Sequence, residues 1–175
     1  MIDRFARRIE LNIELKTPSI LAAEKVAQMT HQHELQHQVI ISSFYRQPME
    51  YLAAHHQSIP RACLWGGMFS WPDIAHMAPP VFMDLAKTRI FHPWVELVTP
   101  ALVERAKSRN WIIYPFVSGG ENPRDNEDLW DYLYALEVDG LCTNHPREMN
   151  LWLEKVRHEE QQFKNPKWTL GQINL

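Results

Sequence analysis

The sequence predicts an α/β fold in which parallel strands alternate with helices and close toward a barrel. Three observations lead there. Short apolar stretches with strand character alternate along the chain with stretches of helical periodicity, the pattern of parallel strands joined by crossovers. Most of the strand-like stretches are apolar throughout, as central parallel strands are. The first one differs. Ile9-Glu10-Leu11-Asn12-Ile13-Glu14-Leu15-Lys16 alternates strictly, so Ile9, Leu11, Ile13 and Leu15 point one way and Glu10, Asn12, Glu14 and Lys16 the other. In an open, doubly wound sheet that polar face would lie beneath helices. In a closed barrel it opens into the lumen, which favours the barrel.

The elements follow in order. After the first strand, Thr17 is the expected N-cap and Pro18 the first helical position of a helix whose apolar face carries Ile20, Leu21, Ala22, Ala23, Val26 and Ala27. Val39-Ile40-Ile41-Ser42-Ser43-Phe44 is a buried strand. A short helix covers Pro48 to His56 and closes at Ile59-Pro60. Ala62-Cys63-Leu64-Trp65 is the third strand, stopped by Gly66-Gly67. Pro72 to Pro80 reads as irregular, and Arg89-Ile90-Phe91 as a weak strand. Thr99-Pro100 starts a helix with Leu102, Val103 and Ala106 inward and Asn110 as its stop. Trp111 to Tyr114 is a strand and Ser118 to Asn126 a polar loop. Glu127 to Leu136 is a helix with acidic residues in its first turn, where they suit the helix dipole. Val138 to Thr143 reads as the last strand. Pro146 to about Phe163 is an amphipathic helix with Met149, Trp152, Leu153 and Val156 inward. Residues 1–163 form the expected domain and 164–175 an unassigned tail.

Composition narrows the function classes. A chain of 175 residues has room for one domain with a substantial core. A net charge of -3 gives no electrostatic basis for binding nucleic acid or an anionic membrane. No run of about 18 apolar residues exists, so no membrane span is expected. Met1-Ile2-Asp3-Arg4 lacks the apolar run of a secretion signal, so the default location is cytoplasmic. Cys63 and Cys142 both fall in strand-like apolar stretches and are expected to be reduced core residues.

Three of these stretches resemble one family. Asn12-Ile13-Glu14-Leu15-Lys16 is similar to the Asn-Ile-Glu-Ile-Lys strand of the glycerophosphodiester phosphodiesterases. Ile40-Ile41-Ser42-Ser43-Phe44 is similar to that family's next strand, which ends in Ser-Phe. Val138-Asp139-Gly140-Leu141-Cys142-Thr143-Asn144-His145-Pro146 resembles its last, Val-Asp-Gly-Ile-Ile-Thr-Asp-Tyr-Pro. Their order and spacing agree. The family fold is an eight-stranded (β/α) barrel of about 250 residues. The resemblance covers its later part, from roughly the fourth strand onward, and so implies a partial TIM barrel. The family's opening His-Arg-Gly, Glu-x-Asp and His-Asp motifs have no counterpart in these 175 residues.

The resemblance implies hydrolysis of glycerophosphodiesters. Glu14 falls at a metal-ligand position for Mg²⁺ or Ca²⁺, hard cations that prefer carboxylate oxygens. Lys16 falls at the position of a lysine that stabilises the phosphate as a point charge. Read without the resemblance, the two are an ion pair on a solvated strand face. Phe44 and Tyr114, at strand ends, are candidates for holding the substrate's alcohol, with core packing as the other reading. With the two family histidines unmatched, this chain by itself is expected to bind metal weakly and to lack diesterase activity. Two other readings stand beside it. A partial barrel exposes sheet edges and self-associates through them. His33-Glu34-Leu35-Gln36-His37 fits the zinc-hydrolase pattern H-E-x-x-H, which needs both imidazoles one turn apart on a helix; a polar connector is the alternative.

Overall fold

The computed structural model describes residues 9–66, 79–119 and 122–163, with side chains through 158. It is an α/β protein with a five-stranded sheet in chain order, β1-β2-β3-β4-β5, as in part of a (β/α) barrel. The strands are β1 (Leu11–Leu15), β2 (Val39–Ser43), β3 (Arg61–Trp65), β4 (Ile90–Pro93) and β5 (Ile112–Ile113). The helices are α1 (Ile20–Gln32), α2 (Arg46–His55), α3 (Pro79–Leu85), α4 (Pro100–Ser108), α5 (Glu127–Ala135) and α6 (Pro146–Phe163). The chain divides into two compact units, with the boundary after His92.

In the first unit β1 pairs with β2 and β2 with β3, both in parallel. The β2 strand is buried along its whole length, in keeping with its Val39-Ile40-Ile41 run. Ile41, Leu35, Met49, Leu52, Ile59, Phe82 and Phe91 are fully buried around it. Ser19, not Thr17, caps α1: its hydroxyl accepts from the Ala22 N–H at 3.2 Å. The helix α3 covers Pro79-Pro80, which the sequence reads as irregular; proline is tolerated in a first helical turn because those N–H groups have no helical partner. The rest of that stretch, residues 72–78, lies outside the described residues.

In the second unit, Thr99 caps α4 through Leu102 N at 3.2 Å, as expected. Asn126 caps α5, accepting from Asp128 N and Leu129 N. Trp130 and Tyr134 of α5 pack against Trp152 of α6, with ring centroids 5.8 Å apart in each case. The stretch Val138–Thr143 is not a strand but a single parallel bridge, Phe116 to Cys142. Its extension is irregular at Gly140, where a Cβ would stand 2.3 Å from the Tyr114 ring. Only a glycine lets that ring lie so close to the backbone. Cys63 is buried and Cys142 exposed, which corrects the expectation that both sit in the core; neither is joined in a disulfide. Burial pushes the Cys63 thiol pKa well above its ordinary value.

Four helices leave by the same device. Glu34, Lys87, Asn110 and Glu137 follow α1, α3, α4 and α5 with φ of 56°, 45°, 54° and 60°. In each case the next residue's N–H reaches five residues back: Leu35 to Thr30, Thr88 to Met83, Trp111 to Ala106, Val138 to Leu133. The left-handed residue itself donates three back, to His31, Asp84, Lys107 and Tyr134 in turn. These are the paired bonds of the Schellman motif, which satisfies carbonyls the helix end leaves open. Asparagine tolerates this backbone, whereas lysine and glutamate are strained in it. Lys87→Gly is therefore expected to raise stability by about 0.5–1 kcal/mol, read as a higher urea midpoint at unchanged slope.

Arg61, at the start of β3, is 7% exposed. Its Nε donates to Ala86 O at 2.9 Å, its Nη2 to Lys87 O at 3.0 Å, and its Nη1 to Ile59 O at 2.7 Å. Longer contacts from Nη1 reach His56 O at 3.3 Å and Gln57 O at 3.4 Å. The guanidinium thus collects carbonyls from the segments that follow α2 and α3, and its positive charge suits the negative ends of those helices.

Candidate functional site

The strand register fixes which face each β1 side chain occupies. Ile13 pairs with Ile41 and Ile41 with Arg61; Leu15 pairs with Ser43 and Ser43 with Cys63. Neighbouring partners in a sheet share a face. Arg61 reaches the carbonyls that follow α2 and α3, and Cys63 Sγ lies 3.9 Å from Phe82 O of α3. That face is the helix side. Glu14, Ser42 and Ala62, paired in turn, therefore share the opposite face. Within the first unit, Glu14 stands on the inner face at the C-terminal end of a parallel strand, the end where barrel enzymes carry their sites.

Glu14 and Lys16 meet. Lys16 Nζ donates to Glu14 Oε2 at 2.7 Å, with the lysine side chain 77% and the glutamate 32% exposed. Exposed pairs of this kind contribute little stability, so the contact is readily exchanged for a ligand. The two adjacent serines of β2 divide their roles. Ser43 Oγ donates to Leu15 O at 2.8 Å and accepts from Tyr45 N at 3.1 Å, tying β2 to β1 and starting the turn into α2. Ser42, 1% exposed, turns to the Glu14 face, and its Oγ has no hydrogen-bond partner among the described residues. Sequence reading passed over Ser42, because a serine inside an apolar strand carries no signal of which face it takes. Phe44 is half-buried and directly follows β2. Tyr114, in the second unit, is half-buried, with its ring against the Gly140 backbone.

The donor set does not fit a hard divalent ion. Such an ion takes six or more oxygens. Here the Glu14 carboxylate already holds the Lys16 ammonium, and among the described residues no three His, Cys, Asp or Glu side chains converge. The H-E-x-x-H segment also lacks its required geometry. The helix α1 ends at Gln32, His33 is its C-cap and Glu34 is the left-handed residue after it, so His33 and His37 do not share a helical face.

A further polar cluster ties α1 to α2. Glu24 accepts from Tyr51 OH at 2.7 Å, His56 Nε2 at 2.7 Å and Gln28 Nε2 at 2.5 Å. His56 Nδ1 meets His31 Nε2 at 3.3 Å, and His31 Nδ1 meets Gln36 at 2.8 Å. The Tyr51 and His56 hydrogen bonds hold the Glu24 carboxyl well below the usual range, at about 2. The groups form a line rather than a ring, so they brace two helices and do not enclose a ligand. In the second unit, Asp125 is 5% exposed and accepts from Trp130 Nε1 at 3.0 Å, Thr143 Oγ1 at 2.8 Å and Asn144 N at 2.7 Å. It fixes the Thr143–Asn144 segment against the start of α5.

Comparison with known proteins bears on the fold. No family model matches the chain, and no curated protein sequence does. Solved structures do match. A glycerophosphodiester phosphodiesterase from Parabacteroides distasonis superposes with a TM-score of 0.67 at 17% identity, over 91% of this chain and 62% of that one. A phosphodiesterase from Oleispira antarctica, in complex with the product sn-glycerol-3-phosphate, superposes with a TM-score of 0.62 at 17% identity, over 83% of this chain and 55% of that one. The chain thus shares the fold of glycerophosphodiester phosphodiesterases and spans 51% to 62% of the length of these structures. Among the described residues no helix is long and apolar enough to cross a membrane.

Proposed function

We propose that the chain is a glycerophosphodiester phosphodiesterase-like domain that holds a phosphoric diester or its glycerol phosphate product at Glu14 and Lys16, without hydrolysing it unaided. One observation carries the reading: Glu14 sits on the inner face at the C-terminal end of β1, with the Lys16 ammonium beside it. When a ligand enters, Lys16 leaves the carboxylate for the phosphoryl oxygens, where a point charge is most useful. Phe44, following the neighbouring strand, is the proposed aromatic contact for the alcohol. Hydrolysis needs a general acid and base within reach of the ester oxygens, and the residues matched to the family supply neither. The same donor set argues that Mg²⁺ or Ca²⁺ is taken up weakly by this chain alone.

Titration of the ¹⁵N-labelled chain with sn-glycerol 3-phosphate is expected to shift the amides around Lys16, with Lys16→Ala weakening binding about fivefold or more. Incubation with glycerophosphocholine and Mg²⁺ is expected to release no glycerol 3-phosphate. Release that disappears in Glu14→Gln would overturn the inactivity. Absence of any amide shift would overturn the site.

A second reading, self-association, draws support from β1 lying at the end of the strand order among the described residues, an edge of the kind another strand pairs with. A monomer at all concentrations in sedimentation would remove it.

A further inference from the structure

We infer that the Ser42 hydroxyl is a ligand contact that reads an uncharged hydroxyl group, the polyol part of a glycerol phosphate, next to the charge held by Lys16. The inference rests on the phosphodiester reading above and deepens it. Its ground is an imbalance in β2. Ser43 makes two hydrogen bonds and has a structural task. Ser42, one residue earlier and equally buried, makes none among the described residues. A buried hydroxyl left without a partner costs about 1–3 kcal/mol, and an alanine would fill the same strand position without that cost. The register sets Ser42 directly beside Glu14. Adjacent strands are about 4.8 Å apart, so a molecule held at Glu14 lies one strand from Ser42 Oγ and meets it once the atoms that cover that oxygen give way.

The chemistry of the position selects the ligand group. Lys16 lies at the exposed end of the strand and carries the charge that a phosphate needs. Ser42 is sealed from water and neutral. Burying a phosphate against one neutral hydroxyl is unfavourable, because the charge would lose its hydration for a single hydrogen bond. A hydroxyl group, which both donates and accepts as serine does, is matched there. Phosphate at the rim and hydroxyl beneath it is the resulting orientation.

Ser42→Ala tests this through two readouts of opposite sign. The free variant is expected to melt about 2–4 °C higher than the parent, because the orphaned oxygen is gone. In amide titrations its affinity for sn-glycerol 3-phosphate is expected to fall about tenfold, while its affinity for inorganic phosphate stays unchanged. A lower melting temperature, or failure to fold, would mean that the hydroxyl serves an internal water or the fold itself, and overturns the inference. Unchanged affinity for glycerol phosphate, or an equal loss for inorganic phosphate, overturns it too while leaving the Lys16 site intact. If the parent chain binds neither probe, the phosphodiester reading fails and takes this inference with it.

Discussion

Arg61→Met is expected to cost about 3–5 kcal/mol, enough to leave a domain of ordinary stability close to unfolding. The methionine fills much of the arginine's volume, so the loss isolates the hydrogen bonds. Three close carbonyl contacts, to Ile59, Ala86 and Lys87, lose their donor at once, the first two of them in buried positions. The neighbouring strand end is built on the same residue, since the Thr88 hydroxyl donates to the Arg61 carbonyl and accepts from Ile90 N. Arg61→Lys is expected to recover less than half, because one ammonium cannot span carbonyls that a planar fork reaches from two sides. Urea denaturation followed by circular dichroism measures both. A midpoint for Arg61→Met within about 1 kcal/mol of the parent would mean that the guanidinium does not clamp the helix ends. The residue sits at the N-terminal end of its strand, the barrel face given to stability rather than chemistry.

Asp125→Ala is the second large effect, expected at about 2–4 kcal/mol. The carboxylate's partners are an indole N–H, a hydroxyl and a backbone amide. Removing it strands three donors. Asp125→Asn keeps the shape and one acceptor, and is expected to lose about half as much. The local signature separates this from general destabilisation. The Asn144 amide, bonded to Asp125 at 2.7 Å, should exchange with solvent at least about tenfold faster in the alanine variant, under conditions where the core amides of α5 remain protected. Uniform acceleration across α5 and α6 would refute the idea of a local anchor.

What could be read from the sequence follows physical lines. β1 was legible because its two faces meet different surroundings, so its pattern alternates. The same alternation put Glu14 on the inner face, which the register of β1, β2 and β3 supports independently. Apolar β2 was legible as a strand, yet the different tasks of Ser42 and Ser43 were not, because apolar neighbours on both sides hide the phase. The helix α3 was missed because it is seven residues long and begins with two prolines, which mark a helix start as readily as a loop. Of the four left-handed helix exits, only Asn110 carried a residue signal; glutamate and lysine adopt that backbone because the paired bonds of the helix exit hold it. Arg61 looked like a strand boundary and Asp125 like loop polarity. The partners are main-chain carbonyls for Arg61 and, for Asp125, donors 5 to 19 residues further on, which leave no recurring spacing. The last strand shrank to a bridge because Gly140 serves the Tyr114 ring rather than a ladder.

The recurring left-handed exit has an architectural consequence. Each of these four helices is turned back toward the sheet by bonds that span only six residues, all within its own βα repeat. Direction is therefore set locally, repeat by repeat, and does not depend on ring closure. A protein assembled in this way can gain or shed whole repeats in evolution while those that persist keep their course.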